Sequence, residues 1–270
     1  MRAGALIPIL CLLCCASAPA QDEARVVHVF VALCDNEHQG IQRVPDELGD
    51  GDDPAHNLYW GALYGVKTVF SRSEEWELVA AVEAPSKAVL ERLVFKHTTA
   101  NVSLVADAYR GREIKRAIGD FMAAASGEGA DEIAVTLGDR EVSVRAGGAA
   151  DLVAYVGHNG LMEFELDEAG AIAPEEAAAS RDGGPSKDSV VLCCSSKSYF
   201  AERLRKAGVR PLLLTTGLMA PEAYTLEAAL DGWIADESPQ QIRLRAAKAY
   251  DEHQDCSLAA AKRLFDAGGN

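Results

Sequence analysis

Residues 190–196, Val-Val-Leu-Cys-Cys-Ser-Ser, form an apolar run that ends in two adjacent cysteines. A cysteine pair there can pack a core, join a disulfide, ligate a metal or supply a nucleophile. Cysteine chemistry needs the thiolate, and a neighbouring imidazole produces it by taking or sharing the thiol proton. One imidazole has a matching position: His158, in Gly157-His158-Asn159-Gly160, also directly follows an apolar run. The glycines on either side let backbone approach a bound group closely, so that N–H groups near Gly160 and Cys194 can hold an oxyanion.

These residues matter only if strands bring them together. Residues 25–36, 101–107, 151–156, 188–194 and 210–216 read as buried strands. Their nearly continuous apolar character suits a sheet covered on both faces. Between them lie segments with helical spacing. Residues 112–126 place Ile114, Ala117, Ile118, Phe121 and Met122 on one face. Residues 197–208 end on Gly208, and residues 220–234 carry Pro221 near their start. Residues 132–148 alternate about Gly138-Asp139 as a β-hairpin, and residues 74–84 read as a strand. Residues 58–70 are expected to be helical, residues 87–99 fit helix or strand, and Pro174–Ser180 fits loop and short helix. Two helical stretches close the chain. Alternating strands and helices predict an α/β fold, a three-layer sandwich about a mostly parallel sheet. Ligands in such sheets bind beyond the carboxyl ends of the strands. That filter selects Cys34 and Asp35, Asp107, His158 and Asn159, Cys193 to Ser196, and Thr215 with Thr216.

A buried strand ending in His beside Gly, followed by a buried strand ending in a small residue and Cys, resembles the caspase-like cysteine peptidases. That clan includes caspases, metacaspases, gingipains, separases and CHAT-domain peptidases. The likeness spans roughly residues 26–234 in layout and rests on few motif residues. It implies an endopeptidase with His158 as general base and Cys194 as nucleophile, Cys193 taking the place of the family's small residue. This sequence departs from the pattern in having Asn159 directly after the histidine and Ser195-Ser196 after the cysteine. The family's substrate-holding side chains lie partly near the first strand, so the resemblance implies a substrate-binding part for Asp35, whose carboxylate would suit an Arg or Lys side chain. The substrate is then a peptide or protein, and neither metal nor organic cofactor is needed. The competing reading is a non-catalytic binding or scaffold protein on the same fold. A serine hydrolase fits less well, because Gly-x-Ser-x-Gly is absent.

Residues 1–20 read as a signal peptide: Arg2, an apolar run, then Ala16-Ser17-Ala18 and Ala18-Pro19-Ala20. A lipoprotein anchor is the weaker alternative. Residues 21–236 would then be the α/β domain and 237–270 a C-terminal helical extension, the mature chain being exported to the periplasm or beyond without inserting in a membrane. A net charge of −15 argues against a nucleic-acid or anionic-membrane footprint. Outside the leader only Cys34, Cys193, Cys194 and Cys256 remain, too few for a disulfide scaffold. A Cys34–Cys194 bridge would block the nucleophile, and a vicinal Cys193–Cys194 bridge is strained. His38 and His56 stand in an acidic loop whose spacing is not that of an EF-hand, so it reads as a solvated loop and not as a metal site.

Overall fold

The computed structural model describes residues 24–137, 140–166 and 187–268. Residues 1–20, expected to be a signal peptide, and the Pro174–Ser180 segment lie outside the described residues. The architecture is the expected one, a large mixed sheet, mostly parallel, between two helical layers. Its strands are β1 (Arg25–Ala32), β2 (Trp76–Glu83), β3 (Val89–His97), β4 (Val102–Tyr109), β7 (Leu152–Val156), β8 (Asp188–Leu192), β9 (Arg210–Thr215) and β10 (Phe265–Asp266). They lie in the order β10-β9-β8-β7-β1-β4-β3-β2. The five strands β9, β8, β7, β1 and β4 run parallel, whereas β2, β3 and β10 join antiparallel. The hairpin of β5 (Asp131–Leu137) and β6 (Arg140–Ala146) forms a separate two-stranded sheet.

The strand sequences account for the layering. In β1, Val27, Val29 and Val31 face one core, and Val26 and Phe30 face the other, because successive side chains alternate across a strand. Helices α1 (Val66–Arg72), α4 (Ala223–Ile234), α5 (Pro239–Gln254) and α6 (Leu258–Leu264) cover the first face. Helices α2 (Ile114–Ser126) and α3 (Ser196–Lys206) cover the second. In α2 the 3.6-residue spacing puts Ile114, Ala117, Ile118 and Phe121 into that core. Residues 239–265 are part of the same body: Ile242, Ala246, Tyr250 and Phe265 belong to the first core, and β10 extends the sheet.

Two local expectations resolve differently. The helix expected over residues 58–70 begins only at Val66. Before it the chain coils back on itself: a Cβ on Gly61 would stand 2.1 Å from the Ala55 carbonyl oxygen, and one on Gly65 2.3 Å from that of Trp60. Tyr59 and Trp60 are buried from this coil, so their spacing records anchoring to the core and not a helical face. Within residues 87–99 the chain forms a strand, β3 (Val89–His97), paired with β2 and β4.

The chain leaves β1 toward β4 on one side and later crosses back to β7 on the other. The sheet therefore has its topological switch point between β1 and β7, the place where ligands bind in open sheets of this kind.

Candidate functional site at the strand ends

His158 and Cys194 reach this edge on neighbouring strands. β7 and β8 pair in parallel, with Val156 opposite Leu192, and the Gly157 N–H continues the ladder to the Leu192 carbonyl at 3.2 Å. Each residue lies two positions beyond its strand's last pair. Strand alternation separates the two cysteines. Cys193 is fully buried in the α2–α3 core, whereas Cys194 is half-buried. Burial pushes the Cys193 thiol well above its ordinary pKa and the Cys34 thiol up to about 11. Cys34, Cys193, Cys194 and Cys256 are all free thiols.

Cys194 sits on a tight strand-to-helix turn. Ser195 takes a left-handed conformation (φ 52°), its N–H donates to the Gly217 carbonyl at 2.8 Å, and α3 starts at the next residue. Ser196 and Thr215 lock this turn. The Thr215 N–H donates to Ser196 Oγ at 2.8 Å, the Ser196 N–H donates to Thr215 Oγ1 at 3.0 Å, and the Thr215 hydroxyl donates to the Cys193 carbonyl. The strand-end threonine and serine thus serve the turn, with both side chains fully buried.

His158 is held by a similar set of bonds. Its carbonyl accepts from the Tyr155 hydroxyl at 2.8 Å and from the Gly160 N–H at 3.1 Å. Its ring Nε2 lies 2.6 Å from Glu163 Oε1. Asn159, wholly buried, donates from Nδ2 to the Cys194 carbonyl at 2.7 Å. The asparagine that departs from the family pattern is therefore the bridge between the two strand ends. Gly160 supplies room for the turn, because a Cβ there would come within 2.5 Å of the Phe164 ring. Its own N–H is taken up by the His158 carbonyl, whereas the N–H of Cys194 has no backbone partner among the described residues.

The thiol and the imidazole do not hydrogen-bond to one another. Cys194 Sγ is bracketed by the backbone of Met219, accepting from its N–H at 3.5 Å and donating to its carbonyl at 3.6 Å. Met219 follows Leu218, the most exposed large apolar residue described, at 79%.

Asp35 lies at the same edge, beyond β1, but its carboxylate is directed inward. Oδ1 accepts from the N–H groups of Glu37 and His38 at 2.9 and 3.0 Å, and Oδ2 lies 2.9 Å from His38 Nδ1. Gly51 and Gly111 close over the same side chain, where a Cβ would fall 2.3 and 2.6 Å from Oδ2. Asp35 thus organises the long loop after β1, with both carboxylate oxygens engaged within that loop and only 5% of its surface exposed. His56 pairs separately with Asp53 at 2.7 Å, which raises the imidazole and lowers the carboxyl. Asp107 belongs to a buried network on β4 and not to the strand-end cluster. Both its oxygens take the Arg92 guanidinium, at 2.6 and 2.8 Å, and Oδ2 lies 3.2 Å from His28 Nε2.

Sequence spacing did not reveal Glu163. It returns to His158 through the short 3₁₀ turn at Gly160–Met162, and the only sequence signal is a carboxylate five residues after the histidine. No helix among the described residues is long and apolar enough to cross a membrane. No family model, curated protein or solved structure matches the chain.

Proposed function

We propose that the protein is an exported caspase-like cysteine endopeptidase, with Cys194 as nucleophile and His158 as its general base. One observation carries the reading: the two residues stand at the same level on adjacent parallel strands, their backbones tied by Asn159. In this reaction Sγ attacks the scissile carbonyl as its proton passes to His158. The tetrahedral oxyanion faces the Cys194 N–H, and the imidazolium then protonates the departing amine. The turn before α3 favours the thiolate, since the first N–H groups of a helix carry partial positive charge. Export rests on the leader pattern of residues 1–20 alone.

The second reading, a non-catalytic binding or scaffold protein on this fold, draws on a specific observation. The thiol is engaged by Met219 and not by the imidazole. A working enzyme must exchange those backbone contacts for substrate.

Thiol labelling separates the two. Purified protein is pulsed with iodoacetamide from pH 5 to 9, and each cysteine is followed by mass spectrometry in wild type, Cys194→Ala and His158→Ala. A peptidase thiol labels rapidly at neutral pH and slows roughly a hundredfold without its base. A Cys194 that labels no faster than Cys256 and is indifferent to His158 leaves the binding-protein reading.

A further inference from the structure

Among the described residues Glu163 is the one charged side chain bonded to the ring of His158, and it lies at the switch point of the sheet. Its Oε1 is shared. It stands 2.6 Å from His158 Nε2 and accepts the Gly40 N–H at 3.0 Å, so one oxygen joins the end of β7 to the loop after β1 across 123 residues. Gly40 permits that approach. A Cβ at this position would lie 2.2 Å from Oε1 and 2.8 Å from Cδ, inside any real contact distance. The imidazole is nearly enclosed, its side chain 10% exposed, so its orientation is set by these bonds more than by solvent.

We infer that Glu163 is the positioning residue of the site: it fixes His158 as the Nε2–H tautomer and leaves Nδ1 as the nitrogen that handles the Cys194 proton. An ionised carboxylate only accepts hydrogen bonds, so at 2.6 Å the proton between the two belongs to Nε2. A neutral imidazole carries one proton, and the other nitrogen is then the base. When the S–H bond breaks, the proton forms the Nδ1–H bond. The resulting imidazolium keeps Nε2–H on Glu163, whose charge balances the new cation without taking a proton. Because Gly40 holds the same oxygen, the loop after β1 governs the tautomer. The tautomer assignment needs only the geometry, whereas its use in proton transfer rests on the peptidase reading.

The test is made on the full chain. Long-range ¹H–¹⁵N spectra, with His158→Ala identifying the signals, report which ring nitrogen carries the proton. The expected result is Nε2–H with a bare Nδ1 in the wild type and a mixture of tautomers in Glu163→Ala. Gly40→Ala leaves the carboxylate in the protein but displaces it, and is expected to give the same mixture. Iodoacetamide labelling of Cys194 at pH 7 should slow about tenfold in Glu163→Ala. A wild-type proton on Nδ1, or a tautomer unchanged in both variants, overturns the inference. Correct tautomer behaviour with an unreactive Cys194 leaves the Glu163 assignment standing and removes the peptidase. A reactive Cys194 whose rate and ring tautomer both ignore Glu163 does the reverse.

Discussion

Asn159 Nδ2 donates to the carbonyl oxygen of Cys194 at 2.7 Å, joining residues 35 positions apart in sequence at adjacent strand ends. This bond ties the Cys194 backbone to the strand end that carries His158.

Asn159→Ala should therefore cost about 1–3 kcal/mol, because it leaves a buried carbonyl without a donor. Asn159→Asp should cost at least as much, since a carboxylate in that place repels the carbonyl it replaces a bond to. Urea unfolding of the three proteins measures both, with unchanged m values expected if only the native bond is lost.

The four thiols of the described residues should form an accessibility ladder. Cys34 and Cys193 are fully buried, with pKa values pushed up by desolvation, and should resist alkylation in the folded protein even at pH 9. Cys194 and Cys256 are partly exposed and should react. Pulse labelling with and without urea checks this: Cys194 and Cys256 should label in both conditions, Cys34 and Cys193 only in urea.

The Arg92–Asp107 pair should set the acid limit of the fold. Burial alone would raise the Asp107 carboxyl, but hydrogen bonds from Arg92 and His28 outweigh it and hold the group below its usual range. A depressed folded pKa contributes stability above the unfolded value near 3.8, and that stability is lost as pH falls through the folded pKa. Arg92→Leu strands a buried carboxylate and should cost about 3–5 kcal/mol at pH 7. Its acid-unfolding midpoint, followed by circular dichroism, should move to higher pH than the wild type's.

Asp231 should act at the other end of the scale. Burial, then the charges of Glu75 and Glu227, push its carboxyl from 3.8 up to about 7. A raised folded pKa gives stability that is full below the unfolded value and lost as pH rises through the folded one, here between about 4 and 7. Asp231→Asn should flatten that decline, so that urea midpoints at pH 5 and pH 8 lie closer together than in the wild type. A wild-type midpoint that rises across this window would contradict the assignment.

Much of this was legible from residue order. The apolar run of β1 announces a strand covered on both faces, and its observed burial is nearly complete. The carboxyl ends of such strands gather at one edge, so His158 and Cys194 follow from their positions. What escaped was set by contacts distant in sequence. β3 was ambiguous because its fate depends on pairing with β2 and β4, which no local pattern encodes. The Tyr59–Trp60 coil has helical spacing but is turned by Gly61 and Gly65 against backbone. Asp35 looked like a free strand-end carboxylate until the turn at Glu37–His38 and two approaching glycines took up its oxygens. Glu163 meets His158 only because a 3₁₀ turn carries it back, and the same oxygen is held by Gly40, 123 residues away.

The outermost strand, β2, has consequences for how copies of this protein meet. Strand β10 ends the sheet on one side, but β2 closes the other with a free outer edge among the described residues. Its sequence, Trp-Glu-Leu-Val-Ala-Ala-Val-Glu, exposes Leu78 and Val82, and such an edge is a template for adding strands. Aligning two copies antiparallel so that Leu78 meets Val82 also sets Glu77 of each against Glu83 of the other. Like charges directly opposite one another destabilise a strand pair, so the two glutamates act as electrostatic bumpers against runaway growth of the sheet.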